Sequence, residues 1–175
     1  MLRPVTRDDA ASIFNGYASS PTATRCMVWP RSTAPDPAGL AERSEKGWAS
    51  GSAFPWAVIL QATGEFLGVI ELRINPPKAD LGYIFCEPFW GRGFASEVVK
   101  CVVDWAIAQP EIFRVWATCH PDNAASIRVL NKAGLTFEAR LENWEARPQL
   151  RLRAGPSMVY ARIKPIVADR EPPRS

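Results

Sequence analysis

Gly91-Arg92-Gly93 is the stretch of this chain whose residue types most directly suggest chemistry. It separates a run of strand character from a run of helical character. Two glycines one residue apart let main-chain N–H groups converge on a point, because no Cβ obstructs them. A helix starting directly afterwards adds the partial positive charge of its N-terminus. Together these make an anion site, and Arg92 adds a charged contact. The same glycines would also serve a tight strand-to-helix turn with no ligand. The stretch is not a Walker A loop, since no Gly-Lys-Ser/Thr follows. It is not a dinucleotide fingerprint either, since the third glycine is missing and no βαβ unit surrounds it.

Other reactive side chains are sparse. His120 is the single imidazole, and a lone histidine is more often structural than catalytic. Cys26, Cys86, Cys101 and Cys119 form no C-x-x-C pair, so the usual spacing of a zinc site is missing and no metal is expected. They read as reduced thiols of a cytoplasmic protein. Asp122 and Asn123 suit a helix cap, with Ser126 in the first turn.

The elements that must position these groups follow from periodicity. Leu2 to Val5 reads as a strand, and Thr6 opens a helix to about Tyr17. Residues 19–38 are rich in Ser, Thr and Pro and read as irregular. Asp36-Pro37 starts a helix running to about Trp48. Phe54–Gln61, Phe66–Ile74 and Ala79–Phe85 read as three strands of an antiparallel meander. Beyond the glycines, Ala95, Val98, Val99, Val102 and Ala106 recur at helical spacing over Phe94–Ala108. Val115–Cys119 is a strand, and Asp122–Ala133 is a helix ended by Gly134. Phe137–Glu145 and Met158–Ile163 close the sheet. One domain over residues 1–167 is expected, with 168–175 as a disordered tail.

Composition narrows the class. The chain has 175 residues, of which 47% are hydrophobic, and a net charge of +3. That suits a folded domain and is too mild for a nucleic-acid protein. No apolar run approaches a membrane span, and the N-terminus carries no signal-peptide pattern.

Two segments together resemble a known family. Leu81-Gly82-Tyr83-Ile84-Phe85 followed by Glu87-Pro88-Phe89-Trp90-Gly91-Arg92-Gly93-Phe94-Ala95-Ser96-Glu97 is similar to the acetyl-CoA motif of the GNAT acetyltransferases. Trp90 departs from the Gln/Arg of the general motif and resembles the RimJ/RimL-like branch. Asn123-Ala124-Ala125-Ser126 with Val129-Leu130-Asn131-Lys132-Ala133-Gly134-Leu135 is similar to a second segment of that branch, with Leu135 in place of the commoner Phe. The resemblance extends over about residues 1–165. It implies a mixed α/β (α+β) fold, with a mostly antiparallel central sheet flanked by helices.

The resemblance also implies roles. The turn over Gly91, Arg92, Gly93, Phe94, Ala95 and Ser96 would hold the pyrophosphate of acetyl-CoA, while Phe85 and Cys86 would pair with the pantetheine arm. Ser126 would protonate the departing thiolate or hydrogen-bond near the sulfur, and Asn123 would contact the pantetheine or order a water. Glu145, placed after Ser126 by the interval seen in that branch, is the leading base. Glu71 on the central strand is its rival. Each carboxylate has an alternative reading, Glu145 as a solvated strand residue and Glu71 as the partner of Arg73. Trp29 and Trp144 would shape the acceptor pocket. The reaction implied is direct attack of a primary amine on the thioester, with no covalent acyl-enzyme. The acceptor is a protein N-terminus or a small-molecule amine, and the enzyme is compatible with a homodimer. The competing readings are an acyl-CoA-sensing module of the same fold without turnover, and a ribosome-associated module, against which the lack of a dense basic patch weighs.

Overall fold

A computed structural model gives the architecture and describes residues 1–165, apart from residues 33 and 35. The expected tail, 168–175, lies outside the described residues. Seven strands form one sheet: β1 (Leu2–Pro4), β2 (Ala53–Ile59), β3 (Phe66–Asn75), β4 (Lys78–Phe85), β5 (Arg114–Cys119), β6 (Thr136–Arg147) and β7 (Leu152–Ile163). Their spatial order is β1-β2-β3-β4-β5-β7-β6. All neighbours are antiparallel except β4 and β5, which run parallel. The helices are α1 (Ala10–Ile13), α2 (Pro21–Thr24), α3 (Pro37–Ser50), α4 (Phe94–Ala108) and α5 (Ala124–Lys132). The expected mixed, mostly antiparallel sheet with flanking helices is the fold observed.

Burial explains the layers. In α4, Val99, Val102, Val103 and Ala106 recur on one face and are buried, as helical periodicity requires. They pack with Leu130 of α5 on one side of the sheet, against Ile70, Leu72, Leu81, Phe85 and Val115. On the other side, Val5, Ala57 and Ile59 meet Ile13 and Leu40, while Tyr17, Ala23 and Ile84 meet Trp29.

The one parallel contact positions the site. The ladder between β4 and β5 comprises Lys78↔Arg114, Ala79↔Val115 and Asp80↔Trp116. Beyond Asp80, β4 stays paired with β3 as far as Phe85, and β5 stays paired with β7 as far as Cys119. The two strands therefore part as a wedge that opens towards the glycine turn.

Three element expectations need correction. The first helix is segmented: Arg7–Asp9 is a 3-10 turn, α1 ends at Ile13, and Phe14–Ala18 is a wide π turn. The start is tightened by Asp9, whose carboxylate takes both Arg3 nitrogens at 2.8 and 2.7 Å and the Thr6 N–H at 2.9 Å. The wide turn brings Gly16 so close to Cys86 that a Cβ there would lie 2.6 Å from its Sγ. Residues 19–38 are not wholly irregular, because Ser20 caps α2 by accepting from Ala23 N at 3.1 Å, with Pro21 in the first turn. Finally, β7 begins at Leu152, since Gly155 pairs with Glu145 and Leu152 with Arg147.

Asp9 yields a stability prediction. Burial raises its pKa, but the Arg3 guanidinium and the Thr6 donors outweigh that and hold it below its ordinary value. A depressed folded-state pKa contributes stability above the unfolded pKa of about 4, and the contribution is lost as pH falls through the folded value. Asp9→Asn should therefore cost about 1–3 kcal/mol at neutral pH and flatten the acid limb of the stability curve. Urea denaturation of both proteins across the acid range checks this. An unchanged limb in the variant contradicts it.

Candidate active site

Strand β4 ends in a short 3-10 turn, Glu87–Phe89, which leads through Trp90 to the glycines. The indole Nε1 of Trp90 donates to Phe85 O at 2.7 Å, tying the turn back to the strand end. Gly91 and Gly93 sit at φ 73° and 89°, a left-handed conformation that L side chains resist. Gly93 is the N-cap of α4 and has no side chain to fill the cap, so the N–H groups of the first turn remain directed outwards. Arg92 is held over the rings of Phe89 and Phe94, with its guanidinium carbon 5.6 and 5.0 Å from their centroids. The expected anion-binding residues thus form one turn.

The two residues expected at the strand end differ: Phe85 faces the wedge and Cys86 does not. Cys86 N donates to Leu67 O at 2.8 Å, towards β3, and Cys86 O accepts from Phe89 N at 3.0 Å. The main chain of Cys86 is therefore engaged away from the wedge. Pro77 O accepts from Phe113 N at 2.8 Å, which places the odd-numbered residues of β4 on the β5 side. Strand alternation then directs the main-chain groups of Leu81, Tyr83 and Phe85 into the wedge. Of these, Phe85 O is already taken by Trp90, while the Phe85 N–H and both groups of Tyr83 are among the wedge-facing partners open to an amide-bearing ligand.

Across the wedge, Asn123 caps α5 by accepting from Ser126 N at 3.0 Å. Asn123 is therefore a capping residue first. Ser126 Oγ lies 2.7 Å from Tyr83 Oη, so a hydroxyl pair joins β4 to α5. Burial raises the Tyr83 pKa, and the phenol stays protonated. Tyr83 went unrecognised from sequence, although alternation marks it as the polar residue between Leu81 and Phe85 on the core-facing side of β4.

The two candidate carboxylates differ in setting. Glu145 follows an irregular stretch of β6 in which Asn143 has φ 52°, and it pairs with Gly155. Its Oε2 accepts from Ser157 Oγ at 2.6 Å and Arg147 Nη2 at 2.9 Å, and its Oε1 accepts from Thr118 Oγ1 at 3.1 Å. It is thus a carboxylate held by three donors that remains 25% exposed. Thr118, Arg147 and Ser157 were not recognised from sequence. Their only local signal is polarity inside otherwise apolar strands, together with the i, i+2 relation of Glu145 and Arg147. Glu71 pairs with Arg73 at 2.8 Å, and Arg73 also bonds Asp80, as the structural alternative for Glu71 anticipates.

The remaining groups border this region. His120 is buried and accepts the Asp122 N–H on Nδ1 at 3.2 Å; burial and the nearby Arg147 lower its pKa, so it is neutral. Burial pushes the Cys86 and Cys119 thiols to about 11, where neither is a ready nucleophile. Trp29 tilts against Tyr17, while Trp144 is exposed. A hollow of about 280 Å³ lined by Ser12, Gly16, Phe66, Cys86 and Phe89 lies on the α1 side of the turn.

Residues 1–136 match the family model described as the acetyltransferase (GNAT) domain. The chain belongs to the GNAT acetyltransferase family. The YkkB protein of Bacillus subtilis is 31% identical over 107 residues, which span 59% of this chain and 60% of that protein. The uncharacterized N-acetyltransferase p20 of Bacillus licheniformis is 26% identical over 148 residues, 82% of this chain and 83% of that one. Among solved structures, RimL, a ribosomal L7/L12 α-N-protein acetyltransferase determined with coenzyme A, superposes with a TM-score of 0.79 at 20% identity, over 93% of each chain. That likeness is one of fold. The family is one of acetyltransferases. Among the described residues no helix is long and apolar enough to cross a membrane, and no three His, Cys, Asp or Glu side chains gather as for a metal.

If the turn holds the pyrophosphate, a negative charge there must repel it. Gly93→Asp should weaken acetyl-CoA affinity on the order of tenfold to hundredfold, and Gly93→Ala, which adds backbone strain without charge, should weaken it less. Calorimetry on the folded variants checks this. Equal affinity in wild type and Gly93→Asp contradicts the assignment.

Proposed function

We propose that this acetyltransferase moves the acetyl group of acetyl-CoA to a primary amine by direct attack in a ternary complex, and that it belongs to the RimJ/RimL-like branch. The observation that carries the reading is the wedge. Strand β4 turns main-chain groups towards a strand that has left its ladder, and the same strand runs into the uncapped N-terminus of α4. An amide-bearing arm can pair with the first while its phosphates meet the second. The α-N-protein activity in RimL's name and the N-acetyltransferase name of p20 support an amine acceptor, and among amines we favour a protein N-terminus. A small-molecule amine is the other acceptor class. The cytoplasm, where acetyl-CoA is at hand, is the proposed location.

The chemistry assigned to side chains is modest. An α-amino group with pKa near ~8 must lose its proton to attack. Glu145 is the proposed acceptor of that proton. Its Oε2 is filled by Ser157 and Arg147, whereas its Oε1 takes only the Thr118 hydroxyl. As the carbonyl oxygen gains charge, a wedge-facing N–H on β4 stabilises it. The leaving thiolate is stabilised by a hydrogen bond from Ser126, whose hydroxyl is placed by Tyr83, and takes its proton from solvent. Glu71 has an arginine as its partner and is the weaker candidate.

Glu145→Gln should lower turnover by ~10²–10⁴-fold at neutral pH with acetyl-CoA affinity retained. The defect should shrink at high pH, where the acceptor is already deprotonated. Thiol release measured against pH with an N-terminal peptide checks this, with Glu71→Gln as the comparison. A normal profile for Glu145→Gln beside a large loss for Glu71→Gln moves the base to β3.

A further inference from the structure

Arg147 is 2% exposed and occupies the junction between the proposed base and the loop that borders it. Its Nη2 donates to Glu145 Oε2 at 2.9 Å and to Ser157 Oγ at 2.7 Å, while its Nη1 donates to Cys26 O at 2.6 Å. Its Nε has no partner among the described residues, so its bonding runs through the two terminal nitrogens alone. The loop after α2 carries no regular structure of its own from Met27 to Pro30. It is held instead from outside, by Arg147 at Cys26 O and by Gln149 Nε2, which donates to Thr24 O and Trp29 O at 2.9 Å each. Arg147 at the end of β6 and Gln149 in the 3-10 turn that follows thus clamp the segment that carries Trp29, and Arg147 also holds Glu145.

We infer that Arg147 is a positioning residue that couples the acceptor-bordering loop to Glu145. The inference rests on the proposed role of Glu145 as base. A guanidinium can serve three acceptors because its nitrogens are fixed in a planar fork, whereas an ammonium is a single point on a flexible stem. One terminal nitrogen sets the loop and the other sets the carboxylate, so a displacement of either is felt by its counterpart through a rigid plane. The cation also compensates the Glu145 charge in a largely buried place, where removing one partner of a pair is costly. Gln149 differs, since it holds the loop and makes no contact with Glu145.

Steady-state kinetics on the full chain, with an N-terminal peptide as acceptor, separates these roles. Arg147→Lys should raise acceptor KM about tenfold and lower kcat about tenfold, with acetyl-CoA affinity unchanged. Gln149→Leu should raise acceptor KM with kcat retained. Ser157→Ala deletes the hydroxyl shared by Arg147 and Glu145 without changing charge, and carries the same test at less risk to folding. It should lower kcat and leave acceptor KM unaltered. In combination, Glu145→Gln with Arg147→Lys should lose no more kcat than Glu145→Gln alone. Losses that multiply, or a kcat unaffected by both Arg147→Lys and Ser157→Ala, overturn the coupling while a large Glu145→Gln defect keeps the base assignment. A normal Glu145→Gln turnover overturns the base assignment and the coupling with it.

Discussion

The parallel ladder between β4 and β5 ends after three residue pairs, and the rest of the site depends on that ending. A strand edge inside a folded domain carries donors and acceptors that need partners, since leaving them dry is costly. Here the edge is part of a central strand, because β4 is fixed on its other side by eight pairs with β3. It therefore stays paired with β3 while β5 departs with β7. The wedge has one wall of main chain and a mouth bounded by the α4 and α5 N-termini. A ligand that fits it must offer amides along its length and negative charge at one end.

The second organising feature is a set of polar side chains on the far wall, of which Arg147 and Ser157 are buried. Thr118 of β5, Glu145 and Arg147 of β6, and Ser157 of β7 come from three strands and form one connected group. Each supplies what another lacks: the carboxylate takes two hydroxyl donors and one cation, and the guanidinium takes a carboxylate, a hydroxyl and a loop carbonyl. Low local dielectric strengthens such a network when it is well satisfied. It also fixes one orientation of Glu145, which a carboxylate standing in solvent would not have. The hydroxyl pair of Tyr83 and Ser126 plays the corresponding part on the opposite side of the wedge.

How far the sequence reveals this arrangement depends on the range of the contacts involved. The α4 helix is legible from Phe94 to Ala108 because its apolar residues repeat locally and glycine precedes it. The Asn123 cap is legible for the same reason, since its acceptor and donor lie three residues apart. The helix expected over residues 6–17 is not legible as segments, because its break answers to Cys86, some seventy residues away. Glu145 is marked through the family resemblance, whereas its partners are not. Thr118 and Ser157 lie 27 and 12 residues from it and meet it only once the sheet order is set. That Tyr83 joins Phe85 on the wedge edge while Cys86 does not likewise follows from register, which a one-residue slip would invert.

The central claim is that the wedge edge of β4 and the first turn of α4 receive acetyl-CoA together. Hydrogen–deuterium exchange with and without saturating acetyl-CoA tests it directly, since both parts act through main-chain amides. The predicted result is protection of the Tyr83 and Phe85 amides and of those at residues 91–96, with the Cys86 amide, already bonded to Leu67, unchanged. Saturated binding that protects neither segment, or protects only the hollow beside Gly16, would contradict it.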